Sequence, residues 1–354
     1  MKPLRIIGLM SGTSLDGLDI ACVDFDFNNN KINYTLVATS TIEYTSVFKQ
    51  RLLNAIHLSG LELSVLSNEF AKLCAQHVTD FVQQHQLTGI DYVASHGHTI
   101  FHQPQHNLTL QIGNGAILAA HTGIHCVCDF RTTDVALGGQ GAPLVPIGDK
   151  LLFSNYDACL NIGGFANVSY SNNNSTIAYD IAPANIILNQ LTAHLNLPYD
   201  AEGAIAKAHA VDEELLNTLN ALPYYTLSAP KSLGVEWVNE TITPLIHHRT
   251  DYHTLIATFT EHTAYQIAKA VNEQAHIHTV LATGGGTFNT YMLARIQAHS
   301  ARAVYTFPTA EVVAFKEAIV FALLGYLRVN TIPNALASVT GASKDSCGGA
   351  VYLG

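Results

Sequence analysis

Three glycine-bearing turns and one carboxylate carry the chemical possibilities of this 354-residue chain. The first turn, Ser11-Gly12-Thr13-Ser14-Leu15-Asp16-Gly17, offers hydroxyls, glycines and a carboxylate; the second is Gly163-Gly164; the third is Gly284-Gly285-Gly286. Each follows an apolar run that reads as a strand. Glycine-lined turns let backbone N–H groups come close to a phosphate. None matches GxxxxGK[ST], and none opens a GxGxxG helix, so neither a P-loop nor a dinucleotide fold is indicated. The pattern suits a nucleotide held between two lobes, with a turn from each on the phosphates. Phosphoryl transfer also needs a positioned base. Asp180 ends a predicted strand just before a predicted helix at Asn185. Its plainer role is helix N-capping, which Asn185 can fill instead. Asp16 is a second carboxylate candidate, and its plainer role is the hairpin turn. Asp16-Gly17 is a strong turn signal because glycine takes positive φ without steric penalty. Lys231, in Ala229-Pro230-Lys231-Ser232-Leu233-Gly234, is either a site cation or a solvated surface lysine.

The elements that must place these residues follow a repeating plan. Apolar runs on either side of the first turn read as two strands, and Ile32 to Tyr44 alternates as a third. Residues 46–86 have helical periodicity, with Leu66, Phe70, Cys74, Val78 and Phe81 at three-four spacing. Asp91 to Gly97 reads as a strand ending in a small-residue turn. Leu108 to Ile112 and Ile124 to Phe130 read as strands flanking a short helix, Gly115 to His121. Arg131 to Pro146 reads as a Gly/Pro loop near a domain boundary. The opening pattern then returns about 150 residues later. Ala158 to Tyr170 is strand, glycine turn, strand, followed by an Asn turn at 172–174 and a strand over Thr176 to Tyr179. Helices are predicted over Asn185 to Leu195, Glu202 to Leu219, Thr254 to Ala275, Tyr291 to Gln297 and Glu311 to Asn330, and Thr279 to Ala282 is a strand. Val351 and Tyr352 fall late enough to return to a sheet. The repetition predicts a duplicated α/β domain. The lobes are expected at 1–128 and 129–337, with the tail 338–354 packing back on either.

Composition excludes several classes. Hydrophobic residues make up 48% and charged residues 12%, ample for a buried core. A formal charge of -10 without a basic run argues against nucleic acid or an anionic membrane. No leader or membrane span is expected, and a cytoplasmic location follows. Six cysteines, none in a CxxC pair, read as reduced thiols. Cys126 and Cys128 share a strand face without further zinc ligands. His96 and His98 could likewise share a strand face as metal ligands, although no third ligand is evident.

Gly8-Leu9-Met10-Ser11-Gly12-Thr13-Ser14-Leu15-Asp16-Gly17-Leu18-Asp19 closely resembles the N-terminal signature of the anhydro-N-acetylmuramic acid kinases. The resemblance continues in order through SHGHTIFHQP at 95–104, TLQIGNGAILAAHTGI at 109–124 and DFRTTDVALGGQGAPLVP at 129–146. LNIGGFANVS at 160–169, the Asp180 segment, APKSLG at 229–234, GGGTFN at 284–289 and SVTGAS at 338–343 complete it. It implies the actin and sugar-kinase fold: two ribonuclease-H-like lobes around an interlobe nucleotide cleft. It also implies an unusual reaction. ATP phosphorylates the 6-oxygen of 1,6-anhydro-N-acetylmuramic acid while water opens the anhydro bridge, giving N-acetylmuramic acid 6-phosphate in cell-wall sugar recycling.

By the same resemblance, Gly12, Thr13, Ser14, Leu15, Asp16, Gly17, Leu18 and Asp19 bind ATP. Gly163, Gly164, Gly284, Gly285 and Gly286 complete the nucleotide site. Asp180 falls on the catalytic aspartate, and His96, Arg131 and Glu317 are placed at the sugar. Mg²⁺ accompanies ATP, held mostly by phosphates and waters, and a homodimer is one assembly open to the chain. Around the catalytic aspartate the family usually has Asp-Thr-Gly-Pro-Gly-Asn; here it is Asp180-Ile181-Ala182-Pro183-Ala184-Asn185. His98 stands where Gln is usual, Asn114 where Asp is common, Thr132-Thr133 where arginines are common, and Val235 where Arg is usual. Two other functions remain open at this point: a kinase of the same fold acting on another sugar, and a non-catalytic nucleotide-binding regulator.

Overall fold

The structure, a computed structural model, describes residues 2–12, 15, 17–173 and 175–354. The described strands form two sheets. The first contains β1 (Leu4–Ser11), β2 (Gly17–Asn28), β3 (Lys31–Glu43), β4 (Tyr92–Gln103), β5 (Leu108–Ile112), β6 (His125–Cys128) and, from the end of the chain, β12 (Ala350–Tyr352). The second contains β7 (Ala158–Ile162), β8 (Phe165–Asn172), β9 (Ser175–Pro183), β10 (Thr279–Thr283) and β11 (Val304–Thr306).

Both sheets share one plan. In the first, β1, β2 and β3 form an antiparallel meander, β4 adds parallel to β1, and β6 adds parallel to β4. In the second, β7, β8 and β9 form the meander, β10 adds parallel to β7, and β11 adds parallel to β10. This is the duplication expected from the repeated pattern, in the ribonuclease-H-like topology that the family resemblance implied. β12 pairs antiparallel with β6, so the tail does return to a sheet.

Contacts divide the chain into two compact units, Met1–Leu152 with Phe315–Gly354, and Phe153–Ala314. Residues 129–152 and 315–337, read from sequence as part of the second lobe, group with the first. The reason is local packing: the Ala310–Val329 helix lies on the first sheet. There Gly8 lets β1 reach the helix backbone at Ala318, and Gly325 brings the helix within 2.7 Å of Ala94 Cβ, measured from an added Cβ. Small residues on that helix are therefore required by close approach.

The other face of the first sheet packs on the Gly60–Gln84 helix. Ile7, Leu9, Leu18, Ile20 and Val93 meet Leu66, Phe70, Cys74, Val78 and Phe81 in one core. The helix starts where its sequence says it should. Ser59 caps Glu62 N–H, and the Glu62 carboxylate accepts from Ser59 N–H at 2.9 Å, a capping box contributing about 1 kcal/mol. In the second unit the core joins Leu160, Ile162, Val168 and Ile181 to the Asn185–Ala193 and Tyr252–Asn272 helices.

Several local expectations change. The strand expected to turn at Gly97 runs on to Gln103 as β4, because a bulge absorbs the glycine. The helix expected over 202–219 is broken. Glu202 and Gly203 take φ of 56° and 74°, and Asp212 caps a separate Glu213–Asn220 helix through Leu215 N–H. The 131–146 loop contains a short helix, Thr132–Ala136. Among the described residues no helix is long and apolar enough to cross a membrane.

Candidate functional site

In the second unit the two glycine turns expected at a nucleotide lie side by side, because β10 pairs with β7. Gly284, at φ 87°, would place a Cβ 2.7 Å from the Ile162 carbonyl, so only glycine fits there. Gly285 has nothing within 4 Å of an added Cβ, and the nearest atoms to Gly163 and Gly164 are at 3.4 and 3.7 Å. These three glycines are not demanded by neighbouring protein atoms. The Gly163 and Gly164 carbonyls do have a job: they accept from Asn185 N–H at 3.1 Å and from Ala184 and Ile186 N–H at 2.8 and 3.0 Å.

Those bonds satisfy orphan donors at the start of the Asn185–Ala193 helix. Its N-cap is Ala184, without a side-chain bond. Neither Asp180 nor Asn185 caps it, contrary to the plainer reading of both; Asn185 Nδ2 donates to the Ile162 carbonyl at 3.4 Å instead. Beside the third turn is a cavity of about 400 Å³ lined by Asn185, Tyr199, Asp200, Gly285, Gly286 and Phe288. Tyr199 and Phe288 are 60% and 58% exposed, an unusual state for aromatic rings. Sequence reading missed this cavity, and its signal was only the Phe288 that follows the glycines.

Asp180 sits near the end of β9 and is half-buried. Its N–H donates to the Lys231 carbonyl at 3.2 Å, and its own carbonyl accepts from Tyr224 Oη at 2.6 Å. Its Oδ2 accepts from Leu233 N–H at 2.9 Å. Burial pushes the carboxyl above its ordinary range, and the Leu233 N–H opposes that rise. Lys231 is not a solvated surface lysine. It is half-buried, with Nζ 4.8 and 5.4 Å from the rings of Tyr224 and Tyr179, and it donates to the Tyr224 carbonyl at 3.3 Å. Burial lowers its pKa.

In the first unit, Thr13, Ser14 and Asp16 lie outside the described residues. Leu15, not glycine, takes the positive φ in the turn, at 60°, and its N–H donates to the Gly12 carbonyl at 3.2 Å. Gly17 is needed for a different reason than expected: a Cβ there would collide with the Ile42 carbonyl across the β2–β3 ladder. Leu18 is buried, and Asp19 accepts from Thr41 Oγ1 at 2.6 Å. At the end of β1 is a buried chain that sequence did not reveal. Tyr44 Oη donates to Ser11 Oγ at 2.7 Å, and Ser11 Oγ lies 2.9 Å from His98 Nδ1.

His96 and His98 do not share a strand face. β4 spends three residues against two of β1 at the Gly97 bulge, which flips the alternation. His96 packs 4.6 Å from the Phe321 ring and His98 6.2 Å from the Phe70 ring, on helices covering opposite faces of the sheet. Arg131 Nε donates to His96 Nε2 at 3.0 Å, so the neutral ring carries its proton on Nδ1. Burial, then the Arg131 charge, push the His96 pKa down to about 3.

Arg131 is placed by its surroundings. Its Nη1 donates to the Gly141 carbonyl at 2.6 Å, while Gly141 N–H donates to Asp134 Oδ2 at 2.8 Å. Thr340 Oγ1 donates to Asp134 Oδ1 at 2.7 Å, tying the SVTGAS segment to the GGQG loop. Burial raises the Glu317 carboxyl, Arg131 opposes that rise, and Asp19 adds to it. The structure thus gathers His96, Arg131, Glu317 and Asp19 in one electrostatic neighbourhood of the first unit.

Two ribonuclease-H-like units with glycine turns at strand ends and a desolvated aspartate define a protein of the actin and sugar-kinase fold. Residues 4–354 match the family described as anhydro-N-acetylmuramic acid kinase (AnmK), and the chain belongs to that family of kinases. An anhydro-N-acetylmuramic acid kinase from Saccharophagus degradans is 35% identical over 99% of this chain and 100% of its own length. One from Haemophilus influenzae is 34% identical over 99% of this chain and 98% of its own. Among solved structures, (R)-2-hydroxyglutaryl-CoA dehydratase component A from Acidaminococcus fermentans covers 90% of this chain at 11% identity and a TM-score of 0.47, with 96% of its own length matched.

Proposed function

We propose that the chain uses ATP to phosphorylate the 6-oxygen of 1,6-anhydro-N-acetylmuramic acid with addition of water, acting in the cytoplasm in recycling of peptidoglycan sugar. Asp180 is the base. It takes a proton from water; the water oxygen bonds to the anomeric carbon; the bond from that carbon to the bridging 6-oxygen breaks; and the 6-oxygen bonds to the γ-phosphorus as ADP leaves. The products are N-acetylmuramic acid 6-phosphate, ADP and a proton. The observation that carries this reading is the Asp180 carboxylate. One of its oxygens is held at 2.9 Å by Leu233 N–H, and burial raises the proton affinity of the carboxylate above its ordinary range.

The family match supports assigning Gly12 to Asp19 and Gly163, Gly164 and Gly284 to Gly286 to ATP. Phosphates pressed against Gly163, Gly164 and Gly285 would explain glycines that no protein atom requires. The cavity beside Gly285 and Gly286 is of a size for the nucleoside, with the Phe288 and Tyr199 rings offering stacking faces. Arg131, oriented by His96 and the Gly141 carbonyl, offers its remaining guanidinium N–H groups to a sugar acid. Mg²⁺, when bound with ATP, neutralises phosphate charge. Asp19 and Glu317 are the carboxylates suited to its outer contacts, since the Asp19 charge adds to the cost of ionising Glu317.

The test is incubation with Mg-ATP and anhydro-N-acetylmuramic acid in ¹⁸O-labelled water, with mass detection. The expected product mass is substrate plus phosphate plus water, with the label on the anomeric oxygen. Product carrying phosphate without water would reject ring opening, and no product would reject the sugar.

A further inference from the structure

The loop at 229–234 does more than pass by Asp180. It bonds to the end of β9 twice, through Asp180 N–H to the Lys231 carbonyl and through Leu233 N–H to Asp180 Oδ2. The Asp180 carbonyl is fixed from a third side by Tyr224 Oη. The residue's backbone donor, its backbone acceptor and one carboxylate oxygen are therefore all committed. The other oxygen, Oδ1, takes no hydrogen bond from a described residue, and the residue is only half-buried. A carboxylate held this way presents a single reactive atom.

We infer that the Leu233 backbone N–H is a positioning group for the reaction: it holds Asp180 Oδ2 and leaves Oδ1 as the atom that takes the proton from water. This rests on Asp180 being the base. The bond also keeps the carboxylate ionised, because an N–H donor favours the charged form against burial. Other groups packed around it have separate attachments. Tyr224 is bonded to the Asp180 carbonyl, and Tyr179 lies along the strand beside Lys231. From the Tyr252–Asn272 helix, Lys269 bonds the Tyr225 carbonyl at 3.5 Å, and His262 lies 2.8 Å from Tyr225 Oη. Glu273 acts on Lys231, whose Nζ is spent on the Tyr224 carbonyl. Among these groups, only the Leu233 N–H touches the carboxylate.

Losing the loop bond should impair proton transfer without touching nucleotide binding.

The experiment replaces residue 233 by the α-hydroxy analogue of leucine, so that an ester oxygen stands where the N–H was and the side chain is kept. Leu233→Ala, which keeps the N–H and loses the side chain, is the companion. For the ester enzyme the acid limb of the kcat–pH profile should move to higher pH. Its kcat on the acid side should fall about tenfold, with the alkaline plateau within about twofold and KM for ATP unchanged. Leu233→Ala should keep the parent's acid limb. An equal loss at every pH would make the bond merely structural and overturn the inference. Asp180→Asn separates this from the parent reading. If that variant keeps turnover, the base assignment has failed. If it is inactive while the ester enzyme matches the parent at every pH, the positioning role alone has failed.

Discussion

The two units share a strand order and differ at equivalent points. In the first, the strand ends after β1 and before β2 are shaped by their own protein: Gly17 is forced by the Ile42 carbonyl, and the Tyr44–Ser11–His98 chain lies buried at Ser11. In the second, the turn after β7 leaves room around Gly163 and Gly164, and its carbonyls serve the next helix. The third strands diverge as well. β3 runs thirteen residues to Glu43 with alternating exposure, whereas β9 carries Asp180 near its end, held by the 229–234 loop. A duplicated topology thus fixes where turns fall, while side chains decide which copy holds a half-buried carboxylate at the end of its third strand.

The strongest test of that division is Asp180→Asn. Turnover should fall about 10²–10⁴-fold in single-turnover assays, since the amide cannot accept the proton. Stability should move the other way. A carboxyl whose folded pKa is raised binds more protons folded than unfolded, so its contribution is complete at low pH and is lost as pH rises through the folded value. At neutral pH the buried charge is a cost, and the neutral isostere should melt at the same temperature or higher. A lower melting point together with retained activity would place Asp180 with the scaffold.

The glycines give the next largest effect. Gly17→Ala should destabilise by about 1–3 kcal/mol through overpacking, as read by denaturant melts. Gly164→Val should leave the melt close to the parent and weaken ATP binding roughly tenfold by calorimetry, because its Cβ would meet the protein only at an ordinary contact distance, 3.7 Å from Ile186 Cβ, while the side chain would crowd the proposed phosphates. If both variants lost stability alike, the contrast between the two turns would collapse. Thr340→Val probes the first unit's scaffold more gently. It removes one of the two bonds that described residues make to the buried Asp134 carboxylate and should cost about 1 kcal/mol, with a readout in thermal melts. Phe288→Ala should be smallest. The ring is exposed, so stability should hold, while ATP binding weakens by about 1 kcal/mol if the nucleoside stacks there.

Much of the architecture was legible in residue order. Alternating and three-four periodicities placed β3 and the Gly60–Gln84, Tyr252–Asn272 and Ala310–Val329 helices close to where they lie, and the repeated strand–glycine–strand pattern announced the duplication. The breaks were harder to see. Gly97 reads as a turn but is taken up as a bulge, because the ladder to β1 and β5 continues on either side of it. Glu202 reads as helix but adopts φ 56°, and its carbonyl accepts from Thr290 Oγ1 at 3.2 Å, a partner 88 residues away.

For the site, local composition pointed to Asp180 and to the glycines, because carboxylates at strand ends and glycine-rich turns are local patterns. What holds them is not local. Leu233 N–H is 53 residues from Asp180, Arg131 is 35 from His96, and Thr340 is 206 from Asp134. Two of these three contacts use a side chain that several other readings fit equally well, and the first uses a backbone N–H that every non-proline residue carries. Residue order therefore specified which chemistry the chain carries and in which elements. Only tertiary packing chose which backbone donor meets the carboxylate, which histidine meets the arginine, and which glycines face protein and which are open, since each depends on groups brought together by burial rather than by sequence.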